Sequence, residues 1–361
     1  MTSRPPLRSD KRLALVALSL VVLATACEGT AQNTLAPHGH FSSITYSLIW
    51  KVFLVAVVVF VLVEGLILYE IIRFRAKSPD DRPPQIHGST KLEITWAIIP
   101  AVILLVVAVA TVGQLFQLDR EQPNPVRVDV IGHQWWWEYR YHDPHDDAKI
   151  AVVTANELHI PVGRNVRLNL ESVDVIHNFW PPKLAGKIYA IPGRQNKLYI
   201  KADDPAVYYG ECAEYCGLSH ANMRLRVVAE SQADFDTWMQ RQSVTVVPAV
   251  PDKTTQAAAY AGAQAFLQKG CSGCHTVSGY SAGNVGPNLT DFNSRSCFAG
   301  CIFANNDSNL RLWLRNPPGE KPGAKMPNLK LTEQDITNLT AYLRTLGDAS
   351  TQPSNIGPAG S

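Results

Sequence analysis

The chain has 361 residues, room for two or three domains, and its 33 Lys and Arg against 31 Asp and Glu leave a formal net charge of +2. A balance this close to neutral does not favour nucleic acid as a partner. The apolar residues are concentrated near the N-terminus, in runs whose length argues against a purely soluble protein.

Residues 1–26 have the pattern of an export signal. A basic start is followed by the apolar run LALVALSLVVLATA, which ends in small residues just before Cys27. The run is short for a membrane span, so we interpret it as a cleaved signal, with an extra membrane helix as the alternative. Cys27 would then head an extracytoplasmic segment, residues 27–46, and is a candidate for lipidation.

Two longer apolar runs, residues 47–72 and 94–118, are each long enough to cross a bilayer, which takes about 20 residues. The stretch between them carries an excess of Lys and Arg, which favours a cytoplasmic location. Residues 47–118 are therefore predicted to form a transmembrane hairpin, with everything after residue 119 outside the cytoplasm. Buried helices of a soluble protein are the alternative.

Ionisable residues and a proline indicate that this hairpin does not stand alone in lipid. Glu64 lies deep in the first run and needs a protein partner or water. Glu93 lies at the cytoplasmic mouth of the second run. Pro100 lies about one turn inside that run, where neighbouring helices must satisfy the backbone. We expect a larger membrane partner.

Residues 126–230 are predicted to be mainly β-strands. Apolar and polar residues alternate in VRVDVIG, NVRLNLES, NKLYIKA and MRLRVVAE, and turn-forming segments separate these stretches. Several short strands at such spacing predict a small β-sandwich or barrel, to which we assign residues 119–240.

A compact cluster of soft metal ligands lies between the last two predicted strands. Cys212, Cys216, His220 and Met223 follow one another in GECAEYCGLSHANM, and His177 stands apart in DVIHNFWPP. Thiolate, imidazole and thioether together suit copper, especially copper that transfers electrons. The second thiolate indicates a second copper, with both sulfurs bridging the two ions.

A disulfide between Cys212 and Cys216 is the simpler interpretation of that spacing. So short a loop gains little stability from closure, however, and a disulfide leaves the following His and Met unexplained. Zinc accepts Cys and His, but Met is a poor zinc ligand. Copper is therefore the prediction, with a disulfide and zinc as alternatives.

Over about residues 41–235 the chain resembles subunit II of haem-copper cytochrome c oxidases. The resemblance rests on ITWAIIPAVIL, GHQWWWEYRY, DVIHNFWPP and GECAEYCGLSHANM. It implies an all-β cupredoxin sandwich that holds a dinuclear copper centre called CuA. The ligands implied by position are two bridging thiolates, two terminal imidazoles, a weak thioether and a weak backbone carbonyl: Cys212 and Cys216, His177 and His220, Met223, and Glu214.

The same resemblance implies three further roles. The carboxylate of Glu214 would reach a magnesium or manganese site shared with the catalytic subunit. Glu93 matches the acidic residue at the mouth of a proton channel in that subunit, with a solvated interfacial charge as the alternative. Trp135 matches the point of electron entry, although alternation places Trp135, Trp137 and Tyr139 on one side of a strand, where rings most often pack the core.

A second exported domain is predicted after a polar linker that contains prolines, residues 241–256. CSGCH is the attachment signature of a c-type haem, in which Cys271 and Cys274 form thioethers and His275 is an axial ligand. Met326, in KPGAKMPNL, is the predicted second axial ligand. A His and Met pair places the iron in the potential range of an electron carrier.

Residues 257–347 resemble an all-α class I cytochrome c. GPNL, NLRLWLRNP and LTEQDITNLTAYLRTL complete the pattern, and the last has helical spacing after a Thr cap. We expect residues 348–361 to form a flexible tail. SRSCFAGCIF departs from the family pattern, and we predict a disulfide between Cys297 and Cys301 because exported thiols tend to be oxidised. A free pair or an extra metal site are the alternatives, and bridging would be awkward if both lay on one helix.

These features predict a multidomain, multi-pass protein of the bacterial cell membrane: the electron-entry subunit of a respiratory cytochrome c oxidase with its own fused cytochrome c. Electrons would pass from haem c to the dinuclear copper and on to a haem of catalytic subunit I, where oxygen is reduced and protons are pumped. The expected partners are subunit I, subunit III, other oxidase subunits, the lipid bilayer, and an external cytochrome or membrane complex as electron donor.

Three other classes of protein share some of these features. A quinol oxidase subunit would lack the copper ligands, all of which are present. A nitrous-oxide-type reductase would not need the hairpin and would carry its own catalytic domain. A copper-binding assembly protein would have no use for an axial His and Met pair.

Overall fold

The structure, a computed structural model, describes residues 30–353 except 77, 79–80, 82–86 and 244–249. The predicted export signal and Cys27 lie outside the described residues. So does most of the predicted tail, of which the described part includes the short 3₁₀ turn Ala349–Thr351.

Two long helices, α1 (His40–Arg73) and α2 (Thr90–Asp119), form the hairpin. Their most apolar windows have mean hydropathies of 2.8 and 2.5, and none of either window is buried. Apolar surface of this extent is unsuited to water and suited to lipid. Helix α1 begins before the predicted span because its first turn packs on the next domain, where Phe41 is 2% exposed and stacks on Tyr199.

The next domain, here called the sandwich domain, consists of two five-stranded sheets packed face to face, in the orders β3-β2-β1-β5-β8 and β4-β10-β9-β6-β7. Its buried side chains, among them Trp137, Tyr139 and Leu168, come from alternate positions of facing strands, as the sequence pattern predicts. The strands are β1 Val126–His133, β2 Trp136–Asp143, β3 Asp146–Ala155, β4 Glu157–Pro161, β5 Val166–Ser172, β6 His177–Trp180, β7 Ile188–Ala190, β8 Asn196–Ile200, β9 Ala206–Cys212 and β10 Arg224–Glu230.

A helix that the sequence analysis did not predict, α3 (Gln232–Ser243), closes the end of the sandwich and extends into the predicted linker. Phe235 and Trp238 lie one turn apart and are buried. The indole of Trp238 stacks on His159, with ring centroids 4.4 Å apart, and contacts Tyr141. The spacing of these two aromatic residues was the available signal for a helix.

The C-terminal domain has its own apolar core, separate from that of the sandwich. Helices dominate it, as predicted, together with two pairs of two-residue strands. Two helices cross closely at Gly262, where a Cβ would lie 1.9 Å from the carbonyl oxygen of Asn338. The elements are α4 Ala257–Gln268, β11 Thr276–Val277, β12 Ser281–Ala282, β13 Cys297–Phe298, β14 Phe303–Ala304, α5 Asp307–Arg315, α6 Pro317–Glu320 and α7 Glu333–Leu343.

Candidate metal centre and haem pocket

The loop of soft ligands connects strands β9 and β10. Cys212 ends β9, and its backbone N–H donates to the carbonyl of Met223 at 2.9 Å, so the two ends of the loop meet. His177 opens strand β6. Strand β6 pairs with β9 so that Phe179 lies opposite Cys212, and this register brings His177 to the loop.

Six predicted ligands converge at this point. The two thiol sulfurs of Cys212 and Cys216 lie 3.8 Å apart. The remaining distances run from a ligand atom to one of these sulfurs: His177 Nδ1 to Cys212 Sγ 3.9 Å, Glu214 O to Cys212 Sγ 3.3 Å, His220 Nδ1 to Cys216 Sγ 3.6 Å, and Met223 Sδ to Cys216 Sγ 3.9 Å.

This geometry fits copper better than the alternatives. A separation of 3.8 Å is far from a disulfide, whose sulfurs lie about 2.0 Å apart, and both thiols are free. Each sulfur has its own imidazole nitrogen, and the thioether is completely buried. Two sulfurs between two imidazoles, with weak ligands at the ends, form a donor set of the softness that copper prefers.

The two thiols are not equivalent in their ionisation. The hydrogen bond with Cys216 lowers the pKa of Cys212 to about 4, although burial opposes this. The same hydrogen bond raises the pKa of Cys216 well above its ordinary value. The pair therefore shares one proton, and a metal that binds here must displace it, because thiolates are the ligands.

Asp174 orients one of the imidazoles, and the sequence analysis missed it. His177 is fully buried, and its Nε2 lies 2.9 Å from Asp174 Oδ1, which leaves Nδ1 facing Cys212. Burial alone would raise the pKa of Asp174, but hydrogen bonds from His177, the amides of Gln134 and Val175, and Lys325 outweigh it, so the net pKa is lowered. The available signal was an acidic residue three positions before the ligand in DVIH.

Trp135 is not on a strand, contrary to the expectation from alternation. Strand β2 begins at Trp136, and Trp135 lies in the turn between β1 and β2. Its indole Nε1 donates to the carbonyl of Cys216 at 3.0 Å. Trp137 and Tyr139 are fully buried in the core, as the sequence suggested for some of these rings. The turn places Trp135 directly beside the loop from Cys212 to Met223, which we call the copper loop.

The second candidate site is a cavity of about 500 Å³ that lies between the C-terminal domain and the sandwich domain. Cys271, Cys274, His275 and Met326 all line it. His275 donates from Nδ1 to the carbonyl of Pro287 at 2.8 Å, which leaves Nε2 as the ligand nitrogen. Burial lowers the pKa of His275, so the imidazole is neutral, as ligation requires.

A buried arginine adds to the fit of a haem, and sequence reasoning missed it. Arg295 is 6% exposed and lines the cavity. Its Nη2 donates to Asn288 O at 2.6 Å, whereas its Nε has no partner among the described residues. A guanidinium with an unused N–H suits a carboxylate such as a haem propionate. Apolar walls with a few polar groups are typical of such pockets.

Glu93 and the Glu214 carboxylate are predicted to act with another subunit. Glu93 lies in the first turn of α2 and is exposed. Glu214 is half-buried in the copper loop, and its backbone carbonyl faces Cys212. Their roles remain predictions because both concern contacts with a second chain.

Cys297 and Cys301 form a disulfide, with Cα atoms 4.9 Å apart. Cys297 begins β13 and Cys301 lies in the turn between β13 and β14, so they do not share a helix. Among the described residues, the candidate metal-binding cluster consists of His177, Cys212 and Cys216. Cys297 and Cys301 are not part of it.

Comparisons with known proteins identify related families for three parts of the chain. The chain matches the family of cytochrome c oxidase subunit II transmembrane domains over residues 44–113, the periplasmic domain of the same subunit over 146–231, and cytochrome c over 259–347. Cytochrome c oxidase subunit 2 of Alkalihalophilus pseudofirmus is 35% identical over 336 residues, which cover 91% of this chain and 94% of that protein. This chain belongs to the cytochrome c oxidase subunit 2 family.

Two further proteins are similar to this chain. Cytochrome c oxidase subunit 2 of Bacillus sp. strain PS3 is 35% identical over 349 residues, covering 91% of this chain and 95% of that protein. The crystal structure of the periplasmic domain of subunit II of cytochrome oxidase from Bradyrhizobium japonicum is 30% identical, covers 32% of this chain and 92% of that one, and has a TM-score of 0.30.

As a cytochrome c oxidase subunit 2, the chain is part of an oxidase complex and is anchored by its helical hairpin. A subunit 2 with its own cytochrome c domain serves electron entry. The two exported domains imply copper and haem c as cofactors. The predicted family and fold class are therefore confirmed.

Proposed function

We propose that this subunit accepts electrons at a haem c held by Cys271, Cys274, His275 and Met326, and delivers them to a dinuclear CuA centre in the sandwich domain. The haem supplies a one-electron carrier and the copper pair supplies the acceptor. The catalytic subunit then uses the electrons to reduce oxygen to water, coupled to proton pumping.

One observation carries this proposal. The cavity that Cys271, His275 and Met326 line is also lined by Trp135 and Trp136 of the sandwich domain. Trp135 donates to the backbone of Cys216, a predicted bridging ligand. Trp135 therefore contacts both the cavity and the loop that holds the predicted copper ligands.

The protein's own residues hold the ligands in place before a metal binds. Asp174 holds His177, and Gln134 and Trp135 both donate to the carbonyl of Cys216, at 2.7 and 3.0 Å. The sulfurs are buried, so water is excluded from them. Such outer hydrogen bonds orient ligands and tune a metal site.

The proposal places the subunit in the bacterial cell membrane, with both exported domains outside the cytoplasm. The Glu214 carboxylate would contribute to a magnesium or manganese site at the contact with subunit I, and Glu93 would lie at the mouth of a proton channel of that subunit. Subunit III and other oxidase subunits would complete the complex, and an external cytochrome or membrane complex would reduce the haem.

Electron paramagnetic resonance of the purified complex tests the copper assignment. We expect the hyperfine pattern of one unpaired electron shared by two equivalent coppers, and Cys216→Ser should abolish it, because the variant lacks one of the two thiolates that the proposed donor set requires. The Cys297→Ser/Cys301→Ser variant is the matched control: it removes a pair with the same spacing and should leave the copper signal unchanged. A mononuclear copper spectrum from the unmodified protein would contradict the proposal.

A further inference from the structure

The sandwich domain and the C-terminal domain meet at the segment Ser296–Asn305, which the Cys297–Cys301 disulfide closes and which we call the disulfide loop. At its base, the amide of Ser296 donates to Glu157 Oε1 at 2.9 Å, and its hydroxyl bonds the same carboxylate. Arg226 Nη1 donates to that hydroxyl at 2.5 Å. Glu157 is 1% exposed, so a buried carboxylate of the sandwich domain accepts both hydrogen bonds that Ser296 of the C-terminal domain donates.

The tip of the disulfide loop lies on the backbone that ends the copper loop. The carbonyl of Gly300 accepts from the amide of Arg224 at 3.0 Å. A Cβ on Gly300 would lie 2.6 Å from Asn222 O and 2.9 Å from Trp135 O, and its φ of +75° also favours glycine. The backbone of Gly300 therefore packs directly on the backbone of the sandwich domain, with no room for a side chain between them.

Lys321 joins the disulfide loop to the turn that carries Trp135. It is 3% exposed, and its Nζ donates to Trp135 O at 2.6 Å and to Ala299 O at 2.8 Å. One acceptor belongs to the sandwich domain and the other to the disulfide loop. The lysine therefore sets the distance between the two backbones.

Further contacts surround this centre. Ser219 donates from Oγ to Pro322 O at 2.5 Å, and Lys325 Nζ lies 3.2 Å from Asp174 Oδ2. Gly323 packs on the indole of Trp135, where a Cβ would lie 2.8 Å from the ring. Trp135 is consequently 7% exposed, so this face of the copper loop is covered.

Buried polar groups on both faces are paired across the contact, and separation of the domains would leave them without hydrogen-bond partners, which is unfavourable. Directional hydrogen bonds of this kind also favour one orientation over others. The disulfide restricts the loop before it docks, so less conformational entropy is lost on docking.

We propose that the disulfide loop is a docking element that holds the C-terminal domain in one orientation on the sandwich domain, with its cavity against Trp135 and Trp136, and that Lys321 is a positioning residue of this contact. The consequence for electron transfer rests on the proposed function: an external donor reaches the haem, not Trp135. The docking itself does not depend on that function.

Two structural readouts in the purified complex test the docking. A zero-length carbodiimide cross-link between Lys325 and Asp174, identified by mass spectrometry, reports the domain contact. Hydrogen exchange at the Arg224 amide reports its bond to Gly300. In the Cys297→Ala/Cys301→Ala and Gly300→Ala variants we expect the cross-link to be lost and exchange to accelerate about tenfold or more. Electron transfer from haem to copper should slow by a similar factor.

Gly279→Ala is the matched control for the glycine variant. Gly279 also has a positive φ, +73°, but apart from its chain neighbours no atom of the described residues lies within 4 Å of its Cβ position, so only the clash differs. The haem absorption spectrum and the copper resonance must stay unchanged in all variants, which separates undocking from unfolding. Lys321→Met is a second variant that removes both hydrogen bonds of the lysine without changing the glycine or the disulfide. We expect it also to lose the cross-link and to accelerate exchange.

Unchanged cross-linking and exchange in the disulfide, Gly300 and Lys321 variants would overturn the docking proposal. If the cross-link and exchange respond but the unmodified complex transfers no electrons from haem to copper, the proposed function fails and the docking stands. The two outcomes are therefore distinguishable.

Discussion

Asp174 orients the imidazole of His177, a predicted copper ligand. Its carboxylate accepts from His177 Nε2 and also bonds Gln134, Val175 and Lys325. Because it determines which nitrogen of His177 faces Cys212, it acts on the metal without being a ligand.

We therefore predict that Asp174→Asn lowers copper affinity about 10–100-fold while the sandwich domain stays folded. The measurement is copper retention against increasing chelator, with circular dichroism to monitor the fold. Glu171→Gln, on an exposed position of β5, removes a similar charge nearby and should retain copper normally. Equal retention in both variants would show that Asp174 does not orient the ligand.

Met326 provides a second prediction at the residue scale. Met326→Ala should leave the haem covalently attached, because Cys271 and Cys274 make the thioethers, and should lower its reduction potential through loss of the thioether ligand. A redox titration followed by visible absorption measures this. An unaltered spectrum and potential would mean that another side chain ligates the iron.

Among the secondary-structure elements, α3 contributes most clearly to stability without contacting a candidate site. Phe235 and Trp238 cover the end of the sandwich, and Trp238 stacks on His159 and contacts Tyr141. The helix is amphipathic but only 12 residues long. Its stability therefore comes from the packing of its aromatic face rather than from helix propensity.

Trp238→Ala should destabilise the sandwich domain by about 3–5 kcal/mol, the range for removing a large buried aromatic residue. Denaturant unfolding followed by fluorescence measures the change. Thr237→Ala, one position away on the exposed side, should cost far less. Similar losses for both variants would mean that α3 does not pack as described.

For the whole molecule, the two exported domains have separate cores but share a polar contact. Burial lowers the pKa of Lys321 to about 7 from its ordinary 10.5. The docked state therefore binds fewer protons than the undocked state between these two values. Docking must then strengthen as pH rises from about 7 towards 10.5.

Hydrogen exchange at the Arg224 amide, corrected for its intrinsic pH dependence, measures this effect. We expect protection to increase over that interval in the unmodified protein and to be independent of pH in Lys321→Met. A decrease of protection with rising pH would show that the lysine stays charged in the contact.

Most of the correct predictions of fold came from patterns of residues that are close along the chain. Cys212, Cys216, His220 and Met223 lie within one loop, and CSGCH is contiguous, so the chemistry of both sites can be inferred from neighbouring residues. The alternation of strands and the long apolar runs likewise depend on short-range periodicity. Helix α3 was missed because two aromatic residues one turn apart are a weak signal.

By itself, the sequence determined the family, the domain order and the candidate ligands, because each depends on residues that are close along the chain. Only the tertiary structure decided which distant residues meet: Asp174 beside the copper loop, Trp135 in a turn rather than a strand, Arg295 in the haem cavity, and the disulfide loop on Glu157 and Arg224. These contacts depend on how strands pair and how domains pack, and no local pattern specifies that geometry.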